Sequence, residues 1–280
     1  MEQLNNNEPI KYTIYIPAGN NTAFVYGFNY SKEQKKLIND AIMKKHSGID
    51  KVEQVGFIDP NAEQPELQMA GGEFCGNATR SSAYIYLNGK PGSLKMIVNS
   101  KDLINAGVDE NHKAWCEIPL YHGEDVVTEM EHGIFIVKMN GMVTVVIQDE
   151  KARAYLEVRD EEQLKKYGMD FIHKYNLEYS EAVGVMFCEK VDEMIKINPV
   201  VWVKSIDTLF NETACGSGTT ATCMVEAFNK KQSQKIDVLQ PSGLIITADI
   251  TFENEKITKA VISGDVKTDG IIYSLDLEEV

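Results

Sequence analysis

At 280 residues the chain exceeds one ordinary compact core, so one large domain or two of roughly 140 residues fit it. A charged share of 25% and a hydrophobic share of 43% are ordinary for a water-soluble protein, and no apolar run reaches the length of about 18 residues that crosses a bilayer. The net charge of −14, with no basic stretch free of Asp and Glu, argues against a nucleic-acid partner.

The opening MEQLNNNEPI has neither the basic nor the apolar region of a secretory signal, which predicts a cytoplasmic protein. IKYTIYI at 10–16 alternates and is rich in β-branched and aromatic residues; PAGNNT separates it from AFVYGF, and the pair reads as a hairpin. Ser31 and Gln34 form a capping box, and Leu37, Ile38, Ala41 and Ile42 recur at helical spacing to about His46. Strands are predicted at VEQVGFI and ELQMA, a helix at NATRSSAYIYL, and strands at LKMIVN, LINAGV and AWCEI. The second half repeats that grammar, with strands at IFIVKM and MVTVVIQ, a charged helix from about Asp160 to Tyr175, and strands at GVMFCE and IKINPVVWV. A helix from about Ser217 follows, then strands at QKIDVLQ, LIITADIT, KITKAVISG and GIIYSLDL. The order is not a βαβ alternation, so a doubly wound parallel sheet is disfavoured and an α+β fold is predicted.

Five cysteines, odd in number and without a CxxC pair, fit neither a disulfide framework nor a zinc ribbon, so free thiols are expected. Two of them stand in a repeated setting: EFCGNAT at 73–79 and TACGSGT at 213–219, each leading into a small, apolar, helix-like run, and separated by half the chain length. A Cys at a helix start faces unpaired backbone N–H groups and the positive end of the helix dipole, which predicts a stabilised thiolate at Cys75 and Cys215. Amides at 76–79 and 216–219 are free to hold a carboxylate.

Two opposed thiols suit inversion at a carbon bearing a hydrogen, one thiolate removing the proton as the other thiol delivers one to the opposite face. No metal or pyridoxal is then needed, and the expected partner is a small amino acid. Cys116, Cys188 and Cys223 read as small buried hydrophobes. Without further context Glu53 reads as a solvated Glu between strand residues, Asn20 as a turn residue, and Arg80 as a side chain snorkelling from its helix.

CGNAT, ACGSGT, AGN at 18–20 and QPSG at 240–243 resemble segments of the diaminopimelate epimerase superfamily, over most of the chain. The resemblance implies two pseudo-symmetric domains, each a mixed β-sheet or barrel wrapped around a central helix, with the active site in the cleft between them. One half would span 1–124 with Cys75, completed by a last strand at about 269–280, and the other 125–268 with Cys215. Where the founding epimerase carries a Glu-Arg clamp for the distal group, this chain has Ile206 and Asp207.

EQVGFI, the GEFCGNAT string and NETACGSGT are more similar to the histidine racemases of opine-metallophore biosynthesis. That resemblance makes Cys75 and Cys215 catalytic, and Asn20, Glu53, Gly76, Asn77, Glu212, Gly216 and Ser217 substrate contacts. It also implies a homodimer. Other readings stay open: diaminopimelate epimerase proper, another amino-acid racemase of the superfamily, and a non-catalytic amino-acid binding protein.

Overall fold

The computed structural model describes residues 9–48, 51–100, 102–123, 125–148, 152–158, 160–192 and 194–276. Most of the N-terminal decapeptide, residue 124 at the predicted boundary, and residues 277–280 of the last predicted strand lie outside these.

The first part of the chain forms β1 (Ile10–Pro17), β2 (Thr22–Tyr26), α1 (Lys32–Lys45), β3 (Gln54–Ile58), β4 (Glu66–Met69), α2 (Gly76–Tyr86), β5 (Gly92–Val98), β6 (Asp102–Val108) and β7 (Ala114–Glu117). Then come β8 (Val127–Glu131), β9 (Ile134–Met139), β10 (Met142–Ile147), α3 (Ala152–Leu156), α4 (Glu161–Lys174), β11 (Ala182–Val191), β12 (Met194–Val203) and β13 (Thr208–Asn211). The chain closes with α5 (Gly216–Lys230), β14 (Gln234–Leu239), β15 (Ile245–Glu253), β16 (Lys256–Gly264) and β17 (Val266–Leu275). Strands dominate, helices are few, and the mixed pairing agrees with the α+β expectation.

Every predicted strand and helix forms, within a few residues at its ends. The hairpin pairs Tyr15 with Thr22, and the Ser31–Gln34 capping box closes in both directions. Four short elements are additions: β8, β13, α3 and a 3-10 turn at Lys204–Ile206.

The strands form one continuous sheet. From β17 the pairing runs through β1, β2, β3, β4, β5 and β6 to β7, with β2–β3 and β4–β5 parallel and the other steps antiparallel. β7 pairs with β16, and a second run follows through β15, β14, β12, β11, β10 and β9 to β8, where β12–β14 and β10–β11 are the parallel steps.

Where helices cover its outer side the sheet is apolar on both faces, whereas β14 to β17 keep an exposed outer face. Along β2, Phe24 points to the inner core while Ala23 and Val25 join an outer cluster with Ile38 and Ile42 of α1. Along β11, Met186 and Cys188 point inward while Val183, Val185 and Phe187 pack outward with Leu164 and Ile172 of α4. The inner core holds α2 and α5, which pack on the two runs of strands and touch one another. Their composition permits this: nearly every residue from Gly76 to Ala83 and from Gly216 to Val225 is buried, and most are Gly, Ala, Ser or Thr.

Candidate active site

Cys75 and Cys215 are the N-cap residues of α2 and α5. Each sulfur accepts the amide three residues on, from Ala78 and from Gly218, both at 3.3 Å. Each carbonyl accepts the hydroxyl four residues on, from Thr79 and Thr219, both at 2.8 Å. The repeated motif is therefore a repeated geometry: a thiol caps a helix whose next two amides, 76–77 and 216–217, stay at its open end.

The two helix starts converge. A Cβ added to Gly76 would lie 2.7 Å from Ile262 Cδ1, and one added to Gly216 would lie 2.8 Å from that same methyl and 3.3 Å from the Asn77 backbone nitrogen. A side chain at either position would have to push the Ile262 methyl aside. Cys75, Gly76, Asn77, Cys215, Gly216 and Ser217 line one cavity, whose wall also carries Glu53, Glu73 and Glu212 and the apolar Phe74, Met142, Val201, Val203, Ile206 and Phe210.

Neither thiol is stabilised as an anion. Burial pushes the Cys75 thiol up, and the Ala78 amide only partly opposes it. Cys215 is raised well above its ordinary value by burial and then by Glu212, against which the Gly218 amide and Ser217 act weakly. This corrects the thiolate expectation: desolvation of a charge outweighs one or two capping amides and a helix dipole. In the unliganded protein both groups are thiols.

The carboxyls are displaced in the same sense. Glu53, 5% exposed, is pushed by burial to about 7, opposed chiefly by the Thr213 amide, which donates to both its oxygens at 3.2 Å. Glu212 is raised to about 8 by burial and by Glu53. Glu73 is raised to about 7 by burial, and its Oε2 is sealed without a partner. Three carboxyls that ionise only with difficulty, beside two neutral thiols, form a site awaiting positive charge.

Asn20 is positioned by the turn before it, where Ala18 and Gly19 both take positive φ. A side chain on Gly19 would collide with Ser242 Cβ at 2.4 Å, because the QPSG loop lies against this turn and Ser242 Oγ donates to the Ala18 carbonyl at 2.6 Å. Asn20 Nδ2 donates to Glu53, while its Oδ1 accepts from Thr22 and from Gln54. The Cys75 thiol in turn donates to Gln54 Oε1 at 2.8 Å.

The structure thus brings the sequence-predicted site residues together, with Asn20 reaching the cavity through Glu53 and Gln54. Glu53 is not solvated, because Asn20 and Thr213 replace its water. Glu73, Gln54 and Gln240 were missed. Each lay inside a string that carried the resemblance, Glu73 in GEFCGNAT, Gln54 in EQVGFI and Gln240 in QPSG, but only the fold brings the two glutamines to the thiols. Arg80 does not snorkel: it is fully buried, with burial lowering it to about 10.

Comparison with known proteins gives the family of the chain. A curated histidine racemase of Fusobacterium nucleatum is 29% identical over 278 residues, covering 92% of this chain and 94% of that protein. One of Staphylococcus aureus is 25% identical over 261 residues, covering 86% and 89%. Among solved structures, a hydroxyproline epimerase from Agrobacterium vitis with bound trans-4-hydroxy-L-proline shares the fold, with a TM-score of 0.62 at 12% identity over 96% of this chain and 93% of that one. The solved structures sharing the fold are thus of the hydroxyproline epimerase and proline racemase kind rather than the diaminopimelate epimerase expected from the motifs. Residues 9–273 match the family described as histidine racemase CntK N-terminal domain. The chain belongs to that racemase family and is an isomerase.

Proposed function

We propose that the chain racemises histidine, inverting Cα between Cys75 and Cys215 without a cofactor, in a cleft between two pseudo-symmetric halves. The observation that carries the reading is the pair of cysteine-capped helices opening into one cavity with three carboxyls. The two halves are supported by the repeated pairing order: each run has two parallel steps in the same places, and in each the chain forms its cysteine-capped helix between the strands of one parallel step, α2 between β4 and β5 and α5 between β12 and β14. The first half is 1–124, completed by the last strand, since β17 pairs with β1; the second is 125–268.

In this reading the substrate carboxylate lies on the amides of Gly76, Asn77, Gly216 and Ser217. The α-ammonium pairs with Glu212, and the side-chain imidazolium with Glu53 and Glu73. The apolar wall, Ile206 included, receives the ring faces, where the founding epimerase would present a charged clamp. Pairing of Glu212 with the ammonium offsets a charge that raises Cys215, so substrate binding favours release of one thiol proton to solvent and leaves one thiolate facing one thiol. One thiolate takes the Cα proton, the electron pair moves into the carboxylate held by the helix amides, and the opposite thiol gives its proton to the other face. The two sulfurs end with exchanged protonation states. Such a site acts on a small amino acid; among the described residues no helix is long and apolar enough to cross a membrane.

Chiral chromatography of purified protein incubated with single L-amino acids tests the reading. L-histidine is expected to run to an equal mixture with D-histidine while diaminopimelate is untouched. No histidine turnover would overturn it.

A further inference from the structure

Arg80 is a guanidinium buried in the second turn of α2, and it forms no ion pair among the described residues. Desolvating such a charge is expensive unless its donors are used in a defined geometry. They are. Nη1 donates to the carbonyls of Gly264 at 2.8 Å and Asp265 at 3.1 Å, in the turn between β16 and β17. Nε and Nη2 both donate to Asn77 Oδ1, at 3.3 and 3.2 Å.

The second pair has a consequence beyond anchoring a turn. With its Oδ1 committed to Arg80, the Asn77 amide can present only Nδ2 on its other side, and Nδ2 donates at 3.0 Å to the carbonyl of Ala214. Ala214 shares a peptide with Cys215. In a trans peptide the C=O and N–H point oppositely, and the Cys215 N–H donates at 2.9 Å to Gln240 Oε1. Gln240 is held by Thr219 Oγ1 and the Val238 carbonyl, each 3.0 Å from its Nε2. The peptide carrying the second thiol is clamped on both faces, one of them by the helix that carries the first.

We propose that Arg80 is a positioning residue of the two-thiol site, fixing through Asn77 the peptide that carries Cys215. Arg suits the task better than Lys because one planar fork serves the Asn77 oxygen with two donors while reaching the β16–β17 turn. The proposal takes from the functional reading only that Cys215 is one of the two acid–base groups.

The test is a cycle of Arg80→Met, Asn77→Ala and the double variant, read in two ways. In racemisation each single variant is expected to lose roughly ten- to hundredfold in kcat, as misplacement of a reacting group does. KM for histidine should stay within about threefold, and the double variant should be no worse than the poorer single one. In iodoacetamide labelling read by peptide mass, Cys215 is expected to react at least about fivefold faster in Arg80→Met, with Cys75 little changed, because access to one thiol is loosened. Multiplying losses in the cycle, or unchanged Cys215 labelling in a folded variant, would overturn the relay. Should Arg80→Met not fold, Arg80→Lys takes its place, with the same non-additivity required. A wild type that does not racemise histidine defeats the functional reading, and the labelling arm still decides this one.

Discussion

At Glu212 burial and the neighbouring Glu53 hold the carboxyl at about 8, and Glu212 in turn raises Cys215. Removing that charge has a definite sign. Glu212→Gln is expected to speed alkylation of Cys215 at pH 8 in the unliganded protein while reducing histidine turnover by two orders of magnitude or so, since the ammonium partner is gone; slower labelling would contradict the coupling. Glu53 and Glu73, at about 7 against an ordinary 4.5, add a stability effect. Their folded values are raised, so between these limits the native state binds more protons than the unfolded chain, and stability falls as pH rises. Thermal melts from pH 5 to pH 8 should show Tm declining, with the decline reduced in Glu53→Gln and by saturating histidine. At this scale the sequence revealed which residue types cluster around the thiols but not their charge states, because the burial that sets those states comes from strands distant in sequence.

At the scale of elements, the two helix starts explain their glycines. A Cβ on Gly218 would meet Met186 Sδ at 2.2 Å, and one on Gly76 would meet Ile262 Cδ1 at 2.7 Å. Each substitution to Ala should cost about 1–3 kcal/mol in urea unfolding, as overpacking does. Ile262→Val should recover part of the Gly76→Ala loss and none of the Gly218→Ala loss; equal recovery of both would contradict the packing. Strands with β-branched residues or clear alternation were legible. β8, whose VTEME is mostly exposed, was not, nor were the four-residue β13 and the five-residue α3, which are too short to show a period.

Across the whole molecule, two links hold the runs of strands together: the pairing of β7 with β16, and the passage of the chain from β16 into β17, which enters the first run by pairing with β1. The second is anchored by Tyr12 stacked on Tyr273 at 5.3 Å between ring centroids, with Tyr12 also hydrogen-bonded to His46 at 2.8 Å. Ending the chain after Gly264 is therefore expected to abolish cooperative unfolding followed by circular dichroism; an unchanged transition would contradict the strand's structural role. The duplicated cysteine motif made the two cysteine-capped helices legible, whereas the relay from Arg80 to Cys215 was not, since Asn77, Ala214 and Gln240 meet only once the sheet has closed.

The central claim is that Cys75 and Cys215 act as a pair. With L-histidine and D-histidine in deuterium oxide, the wild-type protein is expected to place solvent label at Cα of the enantiomer it forms, and Cys75→Ala and Cys215→Ala are each expected to lose racemisation by at least about a hundredfold. Full racemisation by either single variant would contradict the two-thiol account.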